Sequence, residues 1–227
     1  MHMESKDVIK KLKFLSSKEV LESHARFGDT GKNKLGVATP DIRNLAKEIG
    51  KNHTLALDLW KTNIHEARAL ATMIDHPQHV TEEQMEEWAK DFDGWGICDH
   101  ACGLFANTPF AYRKAVEWTS REMEYEKRAG FALMAYLAVH DKKADDKRLL
   151  KFLPIIKQHA NDDRNFVKKA VNWALREIGK RNSALNKAAI ETAHEINQMK
   201  SAEKWIASDA IRELQSDAVQ KRVKAKS

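Results

Sequence analysis

The sequence has little glycine, proline and cysteine: nine, four and two residues in a chain of 227. Stretches such as 80–92 and 131–152 contain neither glycine nor proline, and alternating runs of β-branched residues are missing. Half-buried strands show that alternation, so its lack argues against a β-rich fold. Alanine, leucine, lysine and glutamate are abundant instead, which predicts an all-α protein.

Disulfide pairs and long apolar runs are also missing. Cys98 and Cys102 lie four residues apart on one predicted helix, where a disulfide would strain the helix geometry, so we expect two reduced, apolar side chains. The N-terminal stretch is too charged for a signal peptide. The longest apolar run, 130–139, is far shorter than the ~20 residues that a membrane-spanning helix needs. These features predict a cytoplasmic protein with no membrane partner.

Charge is distributed unevenly between the two halves of the chain. Residues 1–110 hold 14 Lys and Arg against 17 Asp and Glu, a net charge of −3, whereas residues 111–227 hold 25 against 16, a net charge of +9. Such a basic half favours a polyanionic partner that is met mainly by the C-terminal part. A solubilising surface is the alternative that the charge alone leaves open.

Apolar residues recur at intervals of three and four, and glycine or proline separates the segments. Four segments resemble one another in carrying charge followed by alanine and large apolar residues: "HEARALATMI", "YEKRAGFALMAYL", "VKKAVNWALREIG" and "AEKWIASDAIREL". Their spacing of some tens of residues predicts a solenoid of antiparallel helix pairs, with a plain bundle as the alternative. We expect one domain over residues 1–227, in which 219–227 form a frayed basic tail.

Two helix starts carry specific capping signals. After the glycine-rich loop "GDTGKNKLGVATP", Thr39 is the expected N-cap and Pro40 the expected first helical residue. Thr81 with Gln84 fits a capping box. A further helix is predicted from Trp95 to Ala106.

The first candidate site lies in the stretch "DFDGWGICDH", residues 91–100. Trp95 and Asp99 are four residues apart and therefore share one helix face, which Cys102 and Gly103 continue. Gly94 and Gly96 flank the tryptophan, which leaves the local chain free and the indole exposed. The alternative is a core tryptophan with Asp99 capping the helix or pairing with an arginine.

The second candidate site is a stripe on the helix that contains "NFVKKAVNWALREIGK". Aromatic and cationic residues alternate there at spacings of three and four: Phe166, Lys169, Trp173, Arg176 and Lys180. Aromatic surface interleaved with cations is typical of nucleic-acid contacts, where rings meet sugars or bases and cations meet phosphates. The alternative keeps Trp173 in the core.

The remaining signals are single residues. Arg128 begins the most apolar stretch and needs a carboxylate or phosphate partner. Cys98, Asp99 and His100 are consecutive, so a helix points them in different directions and they cannot bind one metal together. Phosphate-loop and dinucleotide motifs are missing. We therefore predict neither a metal nor a cofactor.

Three segments in order resemble one family. "LGVATPDIRNLAK", "WGICD" and "KKAVNWALRE" are similar to the Gly-hydrophobic-x-x-Pro turn, the W-D-x-x-D element and the late tryptophan helix of the AlkD-type DNA alkylation repair glycosylases. The resemblance implies a HEAT-like superhelix with a basic concave face, acting as a monomer on duplex DNA that contains alkylated purines. Gly96 stands where the family pattern has its first aspartate.

The resemblance also implies roles for individual residues. Asp99 corresponds to the catalytic carboxylate, Trp95 and Trp173 to indoles of the cleft, and Arg128 to a phosphate contact. These four residues are expected to line one concavity. The predicted activity is hydrolysis of the N-glycosidic bond of cationic N3- or N7-alkylated purines. A catalytically silent DNA-binding protein and a protein-binding scaffold are the alternatives.

Overall fold

A computed structural model of the chain describes residues 3–29, 31–201 and 203–225. Every regular element in these ranges is a helix. The chain forms two compact units, Met1–Thr108 and Pro109–Ser227. The all-α prediction is confirmed, and the single domain over residues 1–227 stays a prediction. None of the helices in the described ranges has the length and apolar character needed to cross a membrane.

The first unit is built around a helix that is buried almost all round. Its helices are α1 (Ser5–Phe14), α2 (Lys18–Arg26), α3 (Thr39–Ile49), α4 (His53–Lys61), α5 (His65–Ile74), α6 (Glu82–Lys90) and α7 (Trp95–Phe105). α5 packs against α3, α4 and α7. Its small residues, such as Ala67 and Ala71, let these helices approach closely. Trp60 and Trp88 stack with ring centroids 3.8 Å apart and close the core beside α6.

The second unit has α9 as its buried centre. The helices are α8 (Ala111–Glu117), α9 (Glu124–His140), α10 (Asp146–Leu150), α11 (Phe152–Gln158), α12 (Asn165–Gly179), α13 (Ser183–Gln198), α14 (Lys204–Leu214) and α15 (Asp217–Lys224), with a short 3₁₀ turn at Trp118–Ser120. α9 packs on α8 and α12. A Cβ at Gly130 would lie 2.7 Å from the backbone nitrogen of Thr119, so glycine is required for this close approach.

The helix termini agree with the sequence in part. The Thr81 hydroxyl accepts a hydrogen bond from the Gln84 N–H at 3.1 Å, which is one half of the predicted capping box, whereas the Gln84 side chain donates to Asp75 Oδ2 at 2.8 Å. The prediction for Thr39 was one residue off: Ala38 is the N-cap, and its carbonyl accepts from the N–H groups of Asp41 and Ile42. Pro40 is therefore the second helical residue.

The C-terminal segment differs from the predicted frayed tail. Residues up to Lys224 form α15, which Ser216 caps through its hydroxyl. Val219 and Val223 are buried, so an apolar face anchors this helix to the second unit. The basic composition of this segment gives no indication of its apolar face. The last two residues of the predicted tail, 226 and 227, lie outside the described residues.

Candidate active site and nucleic-acid interface

The first candidate site lies on the first turns of α7. Trp95 is the first residue of the helix, and its indole Nε1 donates to the carbonyl of Phe27 at 3.3 Å. Trp95 and Asp99 are both partly exposed, whereas Ile97 and Cys98 of the same turns are fully buried. The rigid helix therefore presents an indole and a carboxylate one turn apart at the surface of the first unit.

The cysteines of α7 are buried thiols, which agrees with the predicted apolar role. Cys102 was expected to continue the face of Trp95 and Asp99, and this was wrong because its side chain lies in the core. The partly exposed face continues through Gly103, as expected, and also includes His100.

A carboxylate that the sequence did not single out lies against the same turn. Asp29 is only 5% exposed. Its Oδ1 would lie 2.5 Å from a Cβ placed on Gly94, and its Oδ2 would lie 2.6 Å from a Cβ placed on Gly96. Any larger residue at either position would collide with the carboxylate. The two glycines beside Trp95 are therefore required for the approach of Asp29, beyond any effect on the exposure of the indole.

Asp29 belongs to a buried polar cluster. Lys34 Nζ lies 2.8 Å from Asp29 Oδ2, with the two side chains 8% and 5% exposed. His65 Nε2 lies 3.8 Å from the same oxygen. Within the described part of the chain, Asp29 Oδ1 and the Nδ1 atoms of His24 and His65 are buried without a hydrogen-bond partner. Buried polar atoms without a hydrogen-bond partner are more common at functional sites than in an ordinary protein core.

Burial keeps two imidazoles near this turn, those of His65 and His100, neutral at pH 7. Burial lowers the pKa of His65, an effect that the negative charge of Asp29 opposes. Burial also lowers the pKa of His100, to about 4, and the nearby His65 and Arg43 act in the same direction. These two histidines therefore do not offset the negative charge of the carboxylates of the site at neutral pH.

The loop that carries Asp29 and Lys34 is anchored to α5 by one buried carboxylate. Glu66, which is fully buried, accepts hydrogen bonds from the backbone N–H groups of Leu35, Gly36 and Val37 at 2.8, 2.7 and 3.3 Å. Gly36 has φ +80°, and a Cβ there would lie 2.3 Å from a backbone oxygen. The segment "LGV" of the predicted signature is thus a turn that Glu66 holds in place.

The second candidate site lies on α12 in the second unit. Phe166 and Trp173 are partly exposed, and Trp173 packs edge-on against Tyr136 with centroids 5.4 Å apart. Lys169 is exposed, with its Nζ 5.7 Å from the centre of the Phe166 ring. The expected alternation of rings and a cation is therefore present at this end of the helix.

The other two cations of the stripe have acidic partners. Arg176 forms an ion pair with Glu213 of α14, and Lys180 Nζ lies 2.9 Å from the same side chain and 2.6 Å from Glu177. Arg176 Nε is also 3.8 Å from Asp209. Burial alone would raise the pKa of Glu213, but hydrogen bonds from Lys180 and Arg176 lower it below its usual value. This part of the stripe is internally neutralised.

Comparison with known proteins identifies the family. The sequence model of the DNA alkylation repair enzymes matches residues 8–214. The chain belongs to the DNA alkylation repair enzyme family. A solved structure with 21% sequence identity and a TM-score of 0.83, covering 97% of this chain and 96% of that one, is described as a new family of proteins related to the HEAT-like repeat DNA glycosylases with affinity for branched DNA structures. A search of curated proteins found no match.

These findings confirm the family resemblance and the HEAT-like fold that the sequence predicted. In this DNA alkylation repair enzyme family member, Trp95 and Asp99 share one face of α7 in the first unit, and the other predicted site residues lie in the second. Their joint concavity stays a prediction. Among the described residues, no group of three or more histidine, cysteine, aspartate or glutamate side chains is arranged to hold a metal ion.

Arg128 has a buried position in this family member. Its side chain is 6% exposed, and Nη1 donates to the carbonyl of Phe166 at 2.7 Å. The guanidinium thus links α9 to the first turn of α12, the helix that also carries Lys169. The phosphate contact expected of Arg128 stays a prediction.

Sequence reasoning missed Asp29 and Glu213. The only local signal for Asp29 is its position in a loop with three glycines, and Glu213 lies on a helix with ordinary amphipathic spacing. Neither pattern reports which distant side chain the carboxylate meets.

Proposed function

We propose that this family member is a DNA N-glycosylase that hydrolyses the N-glycosidic bond of cationic N3- or N7-alkylated purines in duplex DNA. The observation that carries the proposal is the pairing of Trp95 and Asp99, both partly exposed, on the first turns of α7 in a member of the DNA alkylation repair enzyme family. An indole face and a carboxylate one turn apart both favour a positive charge placed beside them.

The chemistry requires few protein groups. In an N3- or N7-alkylated purine the base already carries positive charge, so its bond to C1′ of the deoxyribose can break without a general acid. The bonding electrons leave with the base, which becomes neutral, and cationic charge moves to the sugar. A carboxylate at Asp99 stabilises that cation, because carboxylates stay ionised at neutral pH. Water then adds to C1′ and loses a proton to solvent.

Two further features support this assignment. The Trp95 face can contribute about 0.5–2 kcal/mol of cation–π attraction to the cationic base or sugar. His100, which follows Asp99, has its pKa lowered to about 4 and is neutral under assay conditions, so it leaves the field of the Asp99 carboxylate undiminished.

DNA contacts are proposed for the second unit. The net charge of +9 over residues 111–227 favours a polyanion. On α12, Lys169 is an exposed cation beside the Phe166 ring, and Trp173 presents a partly exposed indole one turn further on. We assign a phosphate contact to Lys169 and sugar or base contacts to the two rings.

A second candidate function is binding of branched DNA without base release. It is favoured by Gly96, which stands in place of the first aspartate of the family pattern, and by the affinity for branched DNA structures described for the related solved structure. In this case the same surfaces would bind DNA, and Asp99 would have no effect on a chemical step.

The decisive experiment is Asp99→Asn in a single-turnover assay of base release from N3- or N7-methylpurine duplex. The substitution keeps the shape and removes the charge, so the rate should fall on the order of 10²–10³-fold, equivalent to roughly 3–4 kcal/mol. Duplex affinity should change little or even increase, because a carboxylate near phosphates opposes binding. The matched control is Asp58→Asn, an exposed aspartate on α4.

Two outcomes would contradict the proposal. Release at the parent rate by Asp99→Asn would remove Asp99 from catalysis. If the parent chain releases no alkylated base and binds a four-way junction more tightly than a linear duplex of equal length, the branched-DNA function replaces the glycosylase.

A further inference from the structure

We propose that Asp29 is a positioning residue of the candidate site: from the loop before α3, it supplies the carboxylate that the first turn of α7 lacks at Gly96. The inference rests on the proposed function, in which Trp95 and Asp99 of that turn act on the cationic nucleoside.

The geometry places this carboxylate where a side chain at position 96 would be. Asp29 Oδ2 lies 2.6 Å from the site of a Cβ on Gly96, and the Asp29 Cγ lies 3.3 Å from it. An aspartate at 96 and an aspartate at 29 would compete for one volume. The chain therefore has room for one carboxylate at this turn, and Asp29 fills that room from 67 positions earlier in the sequence.

The same loop fixes the Trp95 indole from a second direction. The Phe27 carbonyl accepts the indole N–H at 3.3 Å, and two residues later the Asp29 oxygens lie against Gly94 and Gly96 on either side of the tryptophan. Phe27 and Asp29 thus bracket Trp95 between a backbone acceptor and a carboxylate. An indole held at its N–H and at both neighbouring residues keeps its face in one orientation.

Charge balance keeps Asp29 in place. Lys34 pairs with Asp29 Oδ2, the oxygen nearest Gly96, while both side chains are almost fully buried. A buried charge of this kind holds a position only when it is paired. The other oxygen, Oδ1, lies against Gly94 and has no hydrogen-bond partner within the described part of the chain, so the site is not explained by the ion pair alone.

Because carboxylates at positions 29 and 96 cannot both fit, the proposal can be tested by moving the carboxylate from one position to the other. Asp29→Ala removes the carboxylate, Gly96→Asp overfills the turn, and Asp29→Ala/Gly96→Asp moves the carboxylate to the helix. In the double variant the new side chain starts 2.6 Å from the former Asp29 Oδ2, within reach of Lys34 Nζ. Single-turnover release, duplex affinity and thermal melting are measured for all three variants, at a temperature where circular dichroism shows each to be folded.

We expect each single substitution to slow base release on the order of 10²-fold, since misplacing a reacting geometry by about 1 Å has that effect. The double variant should recover most of the loss. Duplex affinity should stay within about twofold throughout, because Asp29 is almost fully buried and offers little surface to DNA. A role confined to folding predicts lower melting temperatures with parent release rates at the assay temperature, and that result would overturn the proposal.

A second readout separates this inference from the proposed function. Acrylamide quenching measures how accessible the Trp95 indole is to solvent, and it requires no catalysis. The Trp95 signal is the difference between each protein and its Trp95→Phe counterpart. If the parent chain releases no base, the glycosylase proposal fails, and altered quenching in Asp29→Ala with recovery in the double variant still supports positioning. Unchanged quenching in Asp29→Ala would overturn it.

Discussion

Lys169 and Arg176 lie two turns apart on α12, yet we expect different effects on the salt dependence of DNA binding when each is replaced by alanine. Lys169 is exposed, and its described contact is with the Phe166 ring. Arg176 is paired with Glu213 and lies near Asp209, so its charge is already balanced inside the protein. A cation that releases counterions from DNA must be available to the phosphate, and only Lys169 meets that condition.

The magnitude follows from counterion release. Each phosphate neutralised by the protein contributes about 0.9 to the slope of log affinity against log salt concentration. Lys169→Ala should therefore lower the slope by about 0.9, whereas Arg176→Ala should leave it nearly unchanged. Arg176→Ala should instead reduce the free energy of unfolding by about 1 kcal/mol, the upper end for a partly exposed ion pair. Glu213→Gln should raise the slope, because it releases Arg176 and Lys180 toward the phosphates.

The assay is fluorescence anisotropy of a labelled, undamaged duplex at four salt concentrations, with urea unfolding of the same three variants. All three substitutions change the net charge by one, so a general charge effect would move Lys169→Ala and Arg176→Ala alike. Equal slopes of log affinity against log salt concentration for these two variants would refute the reasoning that its internal ion pairs keep Arg176 from contacting DNA phosphates.

Two further predictions concern the first unit. Because the pKa of His100 falls from 6.5 to about 4 on folding, the unfolded chain binds an extra proton between these values, and His100 alone should lower the free energy of unfolding by about 3 kcal/mol from pH 7 to pH 4. In urea unfolding, His100→Gln should remove this part of the drop, whereas exposed His194→Gln should keep it. Phe27 is 71% exposed beside the Trp95 indole, so Phe27→Ala should weaken duplex affinity by roughly fivefold, about 1 kcal/mol for one stacked ring. Phe14, which is 89% exposed on α1, is its control, and equal losses in anisotropy titrations would contradict a specific contact.

The sequence was sufficient for features that depend on neighbours along the chain. Sparse glycine and proline with a three-to-four spacing predicted the helices, and α7 begins at Trp95 as expected and ends one residue before the predicted Ala106. The Thr81 cap was also readable, because a hydroxyl and an amide three residues apart meet in any helix start. The family resemblance used the same kind of information, ordered short segments, and the family match over residues 8–214 confirmed it.

The sequence by itself therefore determined the helices, the family and the pairing of Trp95 with Asp99 on one helix face, since these depend on spacings of a few residues. Only the tertiary structure decided which charges are available. It placed Asp29 against Gly96 and paired Arg176 with Glu213, across 67 and 37 positions of sequence. The strength of an ion pair depends on distance and burial in space, and helix periodicity carries no information about either when the partner lies on a different element.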